Sequence, residues 1–254
     1  MEALTIGRYL FVFCLFLSWL NSLVHIIQSK EMVYTRGVQP KLTAPAWRIL
    51  GPMTALYLFF CGLFCFAIFE LLSGIAIMVC IYWIRHWEIS LWRERIVVDL
   101  GKYSPSGTCL FFYLIAYVIA PIFELHPQKA GVEVACGITA AAWILSGWKK
   151  LEISGLKWIS SNTMGLMLAE RAYIGHPVLR AIRRFCVSHN WILFTISFMG
   201  VFLELLGIIF IFPELRLYYA IIINVLLAAT YVVLGYIEPE WMISIIALTL
   251  MSAG

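Results

Sequence analysis

Residues 141–158, AAWILSGWKKLEISGLKW, mark the point where an apolar segment meets two adjacent basic residues. Apolar residues lead up to Lys149 and Lys150, and the residues that follow are too polar to span a membrane and too apolar for a solvated tail. Lysines at the end of an apolar helix are typical of a membrane boundary, because their ammonium groups reach the lipid headgroups. The stretch therefore predicts a membrane-spanning helix that ends close to Lys149.

The apolar character of this stretch extends over the whole 254-residue chain. Hydrophobic residues make up 63% of the sequence and charged residues only 13%, and the mean hydropathy is +0.92. Soluble domains are roughly half apolar and a quarter charged. Runs of about 17 to 25 apolar residues recur, each long enough to cross the hydrocarbon core as a helix. The composition thus excludes a soluble domain with a single core and predicts a polytopic membrane protein.

The apolar runs are separated by short stretches rich in proline, glycine and charged residues, such as GVQPKLTAP and EPE. Eight segments are predicted to span the membrane: 5–28, 49–69, 71–87, 107–123, 132–148, 191–212, 217–237 and 240–253. The first is too long for a signal-peptide core and is expected to be retained. The expected fold is an all-α bundle of about eight transmembrane helices, with residues 1–254 forming one integral membrane domain.

The basic residues are concentrated on one side of this eight-span pattern. Of the 18 lysines and arginines, only Arg8, Lys129 and Arg216 fall on the other side. Because positively charged loops remain in the cytoplasm, the loops after segments one, three and five are predicted to be cytoplasmic and both termini to lie outside. The net charge of +4 then reflects topology, and the small aqueous surface argues against a nucleic-acid partner. Membrane lipids are the expected contacts.

Residues 149–190 form the one long stretch between segments that does not span. SSNTMGLMLAERAY (residues 160–173) begins with helix-capping residues, and Pro177 is placed to start a second helix, HPVLRAIRRFCV. That second helix is predicted to carry an apolar face and a basic face, formed by Val178, Leu179, Ile182, Phe185 and Cys186 against Arg180, Arg183 and Arg184. A basic amphipathic helix lies in the plane of the interface. The stretch therefore predicts short interfacial helices on the cytoplasmic side, between spans five and six.

Neither the cysteines nor the histidines suggest a metal site. Most of the seven cysteines lie in apolar runs, as small buried residues do. Cys61 and Cys65 share a helix face, but no histidine or third cysteine lies near them in the sequence to complete a metal site. No metal is expected.

Glu204 is an acidic residue deep inside a predicted span. In FMGVFLELLGIIFIF (residues 198–212) it lies roughly 12 Å from the outer end. Arg8, entering from the same side, is the expected partner, whereas Lys150 is disfavoured because Glu204 lies roughly 20 Å from the inner start of its segment. Ionisable residues at this depth are costly. Glu204 is therefore either a proton site or polar cavity wall, or part of a structural ion pair or hydrogen bond.

Two interpretations of the lysine pair remain open from the residues alone. In the first, Lys149 and Lys150 compensate the negative end of the helix dipole and anchor the helix in the headgroups. In the second, mutual repulsion and poor solvation near the hydrocarbon favour a neutral amine, the form that a general base requires. The anchoring interpretation requires only a positive charge at these positions. The general-base interpretation requires a lysine, because arginine does not give up its proton.

SGWKKLEISGLKW (residues 146–158) is similar to the lysine-pair segment of vitamin K-dependent γ-carboxylase and its bacterial relatives, the horizontally transferred transmembrane (HTTM) domain family. NTMGLMLAERAY, HPVLRAIRRFCVSHNWIL and FLELLGIIFIFPELRL follow in the same order and spacing. The resemblance covers residues 143–250 and implies an all-helical protein of the bacterial inner membrane. In that family a lysine deprotonates a bound hydroquinone, a reduced vitamin K-like quinone. Oxygen then generates a strong base that removes a carbon-bound proton from the substrate.

The resemblance implies roles for particular residues. Lys150 matches the catalytic lysine, and Lys149 lies beside it and favours its neutral form. A cofactor pocket is assigned to four further side chains: Glu204, Asn224, Thr230 and Trp148.

The sequence also departs from the family pattern. The helix matching segment seven, NVLLAATYVVLGY, lacks the histidine that the family has there, and FELHPQKAGVE (residues 123–133) replaces a histidine-containing segment. The soluble C-terminal region of the true carboxylases has no counterpart. These departures favour an alternative function, a non-catalytic membrane subunit or scaffold that binds partner subunits, lipid or quinone. No inverted repeat favours a transporter.

Overall fold

The computed structural model describes residues 2–35, 44–92, 105–157, 159, 165–166, 168–169, 172–173, 176–234 and 239–254. Every regular element among these residues is helical, which confirms the all-α prediction. The α-helices with defined bounds are α1 (Glu2–Thr35), α2 (Ala44–Cys65), α3 (Glu70–Trp92), α4 (Pro105–Ile119), α5 (Pro127–Ser154), α6 (Pro177–Val187), α7 (Asn190–Leu205), α8 (Arg216–Leu234) and α9 (Pro239–Ala253).

Six stretches of the described chain are long and apolar enough to cross a membrane, which indicates an integral membrane protein. They are Glu2–Val24, Arg48–Cys65, Pro105–Phe123, Pro127–Ile153, Asn190–Ile211 and Pro213–Val233. These correspond to predicted segments one, two, four, five, six and seven. Segments three and eight are helical as α3 and α9 but are not among the six, and α9 is a shorter apolar helix. The count of eight spans therefore stays a prediction.

Helix α5 extends beyond its predicted inner end. It begins with Pro127, which suits the first position of a helix, and continues past the two lysines to Ser154. Nothing in LEIS interrupts a helix, whereas Gly155 adopts a left-handed conformation with φ of 56°, as glycine commonly does after a helix end. The predicted interfacial segment at 149–190 thus starts as a continuation of α5.

Two compact units make up the chain, residues 1–135 with 250–254 and residues 136–249. In the first unit, the ring of Trp19 on α1 stacks on that of Tyr57 on α2 with centroids 4.4 Å apart. The Tyr57 hydroxyl donates to the Leu15 carbonyl at 2.6 Å, and Trp19 Nε1 donates to Thr54 Oγ1 at 3.2 Å. In a chain this apolar, such directed bonds fix how α1 and α2 pack.

In the second unit, two glycines allow α5 to approach α7 and its continuation closely. A Cβ atom on Gly147 would lie 3.1 Å from the Glu204 Cβ, and one on Gly207 would lie 2.9 Å from the Trp143 Cβ. Residue numbers rise along α5 as they fall along α7 at these two contacts, so the helices are antiparallel. Small residues at a helix crossing let backbones approach, as is common in membranes.

The turn between α7 and α8 is held by a buried arginine. After Leu205 the chain continues as a 3-10 helix, Leu206–Ile211. Arg216, only 1% exposed, donates through Nε to the Phe210 carbonyl and through Nη2 to the Ile211 carbonyl, both at 2.9 Å. Carbonyl groups at the end of a helix lack partners within it, and here the guanidinium supplies them.

Helix α6 begins at Pro177, as predicted, and the ring nitrogen Nδ1 of His176 accepts from the Val178 amide at 3.4 Å. The assignment of its faces was wrong, however. Arg183 is only 3% exposed, and its Nε donates to the Val232 carbonyl of α8 at 3.2 Å. A buried arginine is tolerated where its guanidinium group donates to carbonyls at a helix end. The pattern of polar and apolar residues in the sequence does not show where such carbonyls lie.

The buried face of α6 joins an apolar cluster of this unit. The cluster contains Leu168, Cys186, Leu193 and Val233. Burial raises the pKa of the Cys186 thiol, so this cysteine is an unreactive packing residue. The first predicted interfacial helix lies mostly outside the described residues, although residues 165, 166, 168 and 169 are helical.

Candidate functional site

Lys150 and Glu204 form an ion pair between α5 and α7. The lysine Nζ donates to Glu204 Oε1, and the side chains are 27% and 10% exposed. The partners are 54 residues apart in sequence. An isolated charge at this depth in a membrane protein is costly, so each residue compensates the other.

The pairing follows from the helix crossing at Gly147. Side chains of a helix lean toward its N-terminus. Lys150 follows Gly147 by about one turn, so its side chain leans back to the level at which Gly147 contacts Glu204. Because α7 runs in the opposite direction, the Glu204 side chain leans toward Lys150.

The expected partnership of Glu204 with Arg8 was therefore wrong. That expectation placed Lys150 level with the start of segment six, at about Trp191. The structure instead staggers the helices, so that Lys150 lies beside the later part of α7. Arg8 binds a different acid, Glu70, with Nη2 3.2 Å from Oε1.

Aromatic side chains lie on the same elements as the ion pair and on α8. Tyr219 on α8 donates its hydroxyl to the Leu203 carbonyl at 3.2 Å and interacts electrostatically with the Glu204 carboxylate. Trp143, one turn before Gly147, is 6% exposed, and its ring centroid lies 5.3 Å from that of Trp241. Within the described residues, the Trp143 Nε1 group has no hydrogen-bond partner. The same helix thus carries one partner of the ion pair and a buried donor, Trp143 Nε1, that has no acceptor among the described residues.

The other predicted site residues are placed differently. Lys149 is exposed, and Trp148 is 58% exposed. On α8, Asn224 Nδ2 donates to the Ala220 carbonyl at 2.8 Å and Thr230 Oγ1 donates to the Leu226 carbonyl at 2.9 Å. Asn224 Nδ2 and the Thr230 hydroxyl are thus bonded within their own helix, whereas the buried Asn224 Oδ1 accepts no hydrogen bond from the described residues. Trp148 faces outward. Of the predicted set, the structure brings together Lys150 and Glu204.

A second buried charge cluster, in the first unit, was missed in the sequence. Glu70, 5% exposed, accepts from Arg8 at 3.2 Å, from the Tyr113 hydroxyl, and from Gln128 Nε2 at 2.7 Å. The four side chains come from α1, α3, α4 and α5. Arg8 and Glu70 both lie at the predicted outer ends of apolar segments. Their opposite charges on the same predicted side of the membrane are the signal in the sequence that points to an ion pair. Because Glu70 lies at the end of an apolar segment, the sequence pattern does not distinguish it from an ordinary boundary residue.

No family model, curated protein or solved structure matches this chain. The resemblance to the HTTM family therefore stays a prediction. Among the described residues, no group of three or more histidine, cysteine or acidic side chains is placed to hold a metal ion. A functional assignment consequently rests on the ion pair and its surroundings.

Proposed function

We propose that the Lys150–Glu204 pair is an acid–base site that acts on a lipid-soluble substrate. The observation that carries the proposal is the ion pair itself, in which a partly accessible lysine amine contacts a buried carboxylate. General acid–base catalysis needs a group that exchanges a proton beside the substrate and a second group that accepts or returns that proton. Lys150 supplies the first group and Glu204 the second.

The proton balance of the pair is simple. When the proton lies on Glu204 Oε2, the neutral Lys150 amine donates an N–H to Oε1 and keeps its lone pair for a hydrogen bond from the substrate. An acidic hydroxyl that donates a hydrogen bond to Nζ then transfers its proton to the amine, which leaves a substrate anion beside a new ammonium group. The pair gains one proton, and the opposite charge stabilises the anion.

A hydroquinone of the vitamin K class is the substrate or cofactor that this proposal favours. Trp143 offers an indole N–H to a ring oxygen and, with Trp241, an aromatic surface. Lys150 would face the reacting hydroxyl. Such a group supplies, with oxygen, a base strong enough to remove a carbon-bound proton. Asn224, Thr230 and Trp148 are not needed for this arrangement.

The membrane setting extends the same proposal. We place the protein in the bacterial inner membrane with eight spans, both termini outside, and residues 149–190 at the cytoplasmic side. The concentration of basic residues in the loops after segments one, three and five supports this orientation. The helical state of α3 and α9 is compatible with two spans beyond the six apolar stretches.

The test is turnover of a reduced quinone. Protein in lipid nanodiscs receives chemically reduced menaquinone under oxygen, and consumption of the hydroquinone is followed by absorbance after subtraction of empty nanodiscs. We expect wild-type protein to accelerate consumption and Lys150→Ala to abolish the acceleration. Lys150→Arg should fail as well, because arginine does not give up its proton. Lys157→Ala removes an exposed lysine and serves as the matched control. Equal turnover by Lys150→Ala and wild-type protein would contradict the proposal.

A second candidate function is a non-catalytic subunit that holds partner membrane subunits or lipid. The observation in its favour is that the Lys150 amine is already hydrogen-bonded to Glu204, as in a structural ion pair across a helix crossing. Wild-type protein that consumes no more hydroquinone than empty nanodiscs would favour this candidate.

A further inference from the structure

Helix α6 carries an exposed strip of apolar side chains. Val178, Ile182 and Phe185 are spaced at i, i+4 and i+7 and are 59%, 37% and 57% exposed. This spacing places them on one face of the helix. Arg183 and Cys186, on another side of the helix, are buried against the rest of the unit. An apolar patch exposed on a protein surface marks a site of contact with a membrane or another protein.

The depth of α6 is fixed by its contact with α8. Arg183 Nε donates to the carbonyl of Val232, which lies in the last turn of α8 and at the end of the apolar stretch Pro213–Val233. Carbonyl groups in the last turn of a helix have no partner within it. Because Arg183 binds one of them, α6 lies at the level where a membrane span ends.

Basic and aromatic residues lie near the exposed side of α6. Arg180 and Arg184 are one turn apart along one edge of α6, and the Arg184 guanidinium lies 5.0 Å from the ring centroid of Tyr173. Tyr173 and Trp191 are 71% and 67% exposed. Arginine, tyrosine and tryptophan are the residues that anchor a protein at the boundary between hydrocarbon and headgroups.

We infer that the exposed face of α6 binds the bilayer surface and selects anionic phospholipids. Val178, Ile182 and Phe185 insert between acyl chains, while Arg180 and Arg184 contact the phosphate groups. The combination of apolar strip and cationic edge favours lipid over a protein partner, because anionic lipid is complementary to both. The inference rests on α8 being a membrane span and is independent of the lysine chemistry.

The charge part of the inference is tested by lipid titration in detergent. Detergent-purified protein is titrated with phosphatidylglycerol or phosphatidylcholine, and bound lipid is counted by native mass spectrometry. Arg180→Gln/Arg184→Gln should weaken phosphatidylglycerol binding roughly 10- to 30-fold, since each basic residue contributes about 1 kcal/mol. Arg48→Gln/Lys129→Gln removes two exposed charges elsewhere and should keep most of the binding. An equal loss in both double variants would overturn the charge assignment.

The apolar part is tested by the depth of a probe on the strip. Ile182→Cys is labelled with bimane in nanodiscs of phosphatidylcholine and phosphatidylglycerol, and wild-type protein gives the background from native cysteines. We expect quenching by lipids brominated on the acyl chain to exceed quenching by aqueous iodide. Stronger iodide quenching would show a water-facing strip and overturn insertion. Protection from both quenchers would show that protein covers the strip and would likewise overturn the inference.

Discussion

Gly147 lies directly against Glu204, so that a Cβ atom on residue 147 would come within 3.1 Å of the Glu204 Cβ. This close approach of α5 and α7 brings the Lys150 amine to the carboxylate. The ion pair is therefore a consequence of a glycine crossing, and its integrity depends on small residues as much as on the charges.

Enlarging the second glycine of the crossing should destabilise the protein. In Gly207→Ala the new methyl would lie 2.9 Å from the Trp143 Cβ and 3.0 Å from the Ala140 carbonyl oxygen, and overpacking of this kind costs about 1–3 kcal/mol. Gly200→Ala is the matched control, because no atom lies within 4 Å of its new methyl. Thermal unfolding in detergent, followed by tryptophan fluorescence, compares the two. A lower melting temperature for Gly200→Ala than for Gly207→Ala would contradict the tight crossing.

Removing one partner of the ion pair should cost more than removing both. Lys150→Met leaves the Glu204 carboxylate without its lysine. Breaking a fully buried pair in this way lowers the free energy of unfolding by about 3–5 kcal/mol, which sets the upper limit for this partly exposed lysine. Lys150→Met/Glu204→Leu should recover much of that loss, because no buried charge remains. The free energies of unfolding of both single variants and the double variant form a thermodynamic cycle. Strict additivity would show that the two residues do not interact.

Exchanging the charges separates structure from chemistry. Lys150→Glu/Glu204→Lys keeps an ion pair across the crossing and should restore most of the stability lost in either single variant. The amine then lies on α7 instead of α5, so hydroquinone consumption should remain absent if Lys150 is the base. Recovery of both stability and turnover would mean that the position of the lysine is unimportant.

The Glu70 cluster should stabilise the first unit. Tyr113→Phe removes one of the donors to the buried carboxylate, for which we expect a loss of about 1–3 kcal/mol. Tyr82→Phe, at a side chain that is 72% exposed, should change the stability by less than about 0.5 kcal/mol. Both variants retain the aromatic ring, so a difference in melting temperature reports the hydroxyl alone. Equal melting temperatures would show that the Tyr113 bond adds nothing.

The two neighbouring arginines of α6 should behave differently. Arg183→Gln removes a buried donor to the Val232 carbonyl and should lower the free energy of unfolding by about 1–3 kcal/mol. Arg184→Gln changes an exposed side chain and should affect lipid binding more than stability. Melting temperatures measured without added lipid distinguish the two effects. Similar destabilisation by both substitutions would argue against the buried role of Arg183.

The architecture was largely predictable because it depends on composition and periodicity. Apolar length alone predicted the helices, and Pro177 marked the start of α6 because proline suits that position. Lys150 and Glu204 were both singled out as unusual charges near or within apolar segments. These predictions use information that is local in the sequence.

Features that depend on how helices are staggered were not predictable in this way. The partner of Glu204 was wrong because depth along one helix does not fix its register against another. Arg183 was assigned to the solvent face because a hydropathy pattern does not indicate which carbonyl groups need a donor. The Glu70 cluster joins residues as distant as Arg8 and Gln128, and no local pattern links them.

The buried Arg216 has a consequence for how the protein enters the membrane. Its acceptors, the carbonyls of Phe210 and Ile211, lie only six and five residues earlier in the chain, so the contact forms without any other part of the protein. The hairpin of α7 and α8 therefore supplies hydrogen-bond acceptors to its own guanidinium group while it is being inserted, before α5 packs against it. We expect this hairpin to form independently of α5, and the Lys150–Glu204 pair to form only when α5 packs against the hairpin.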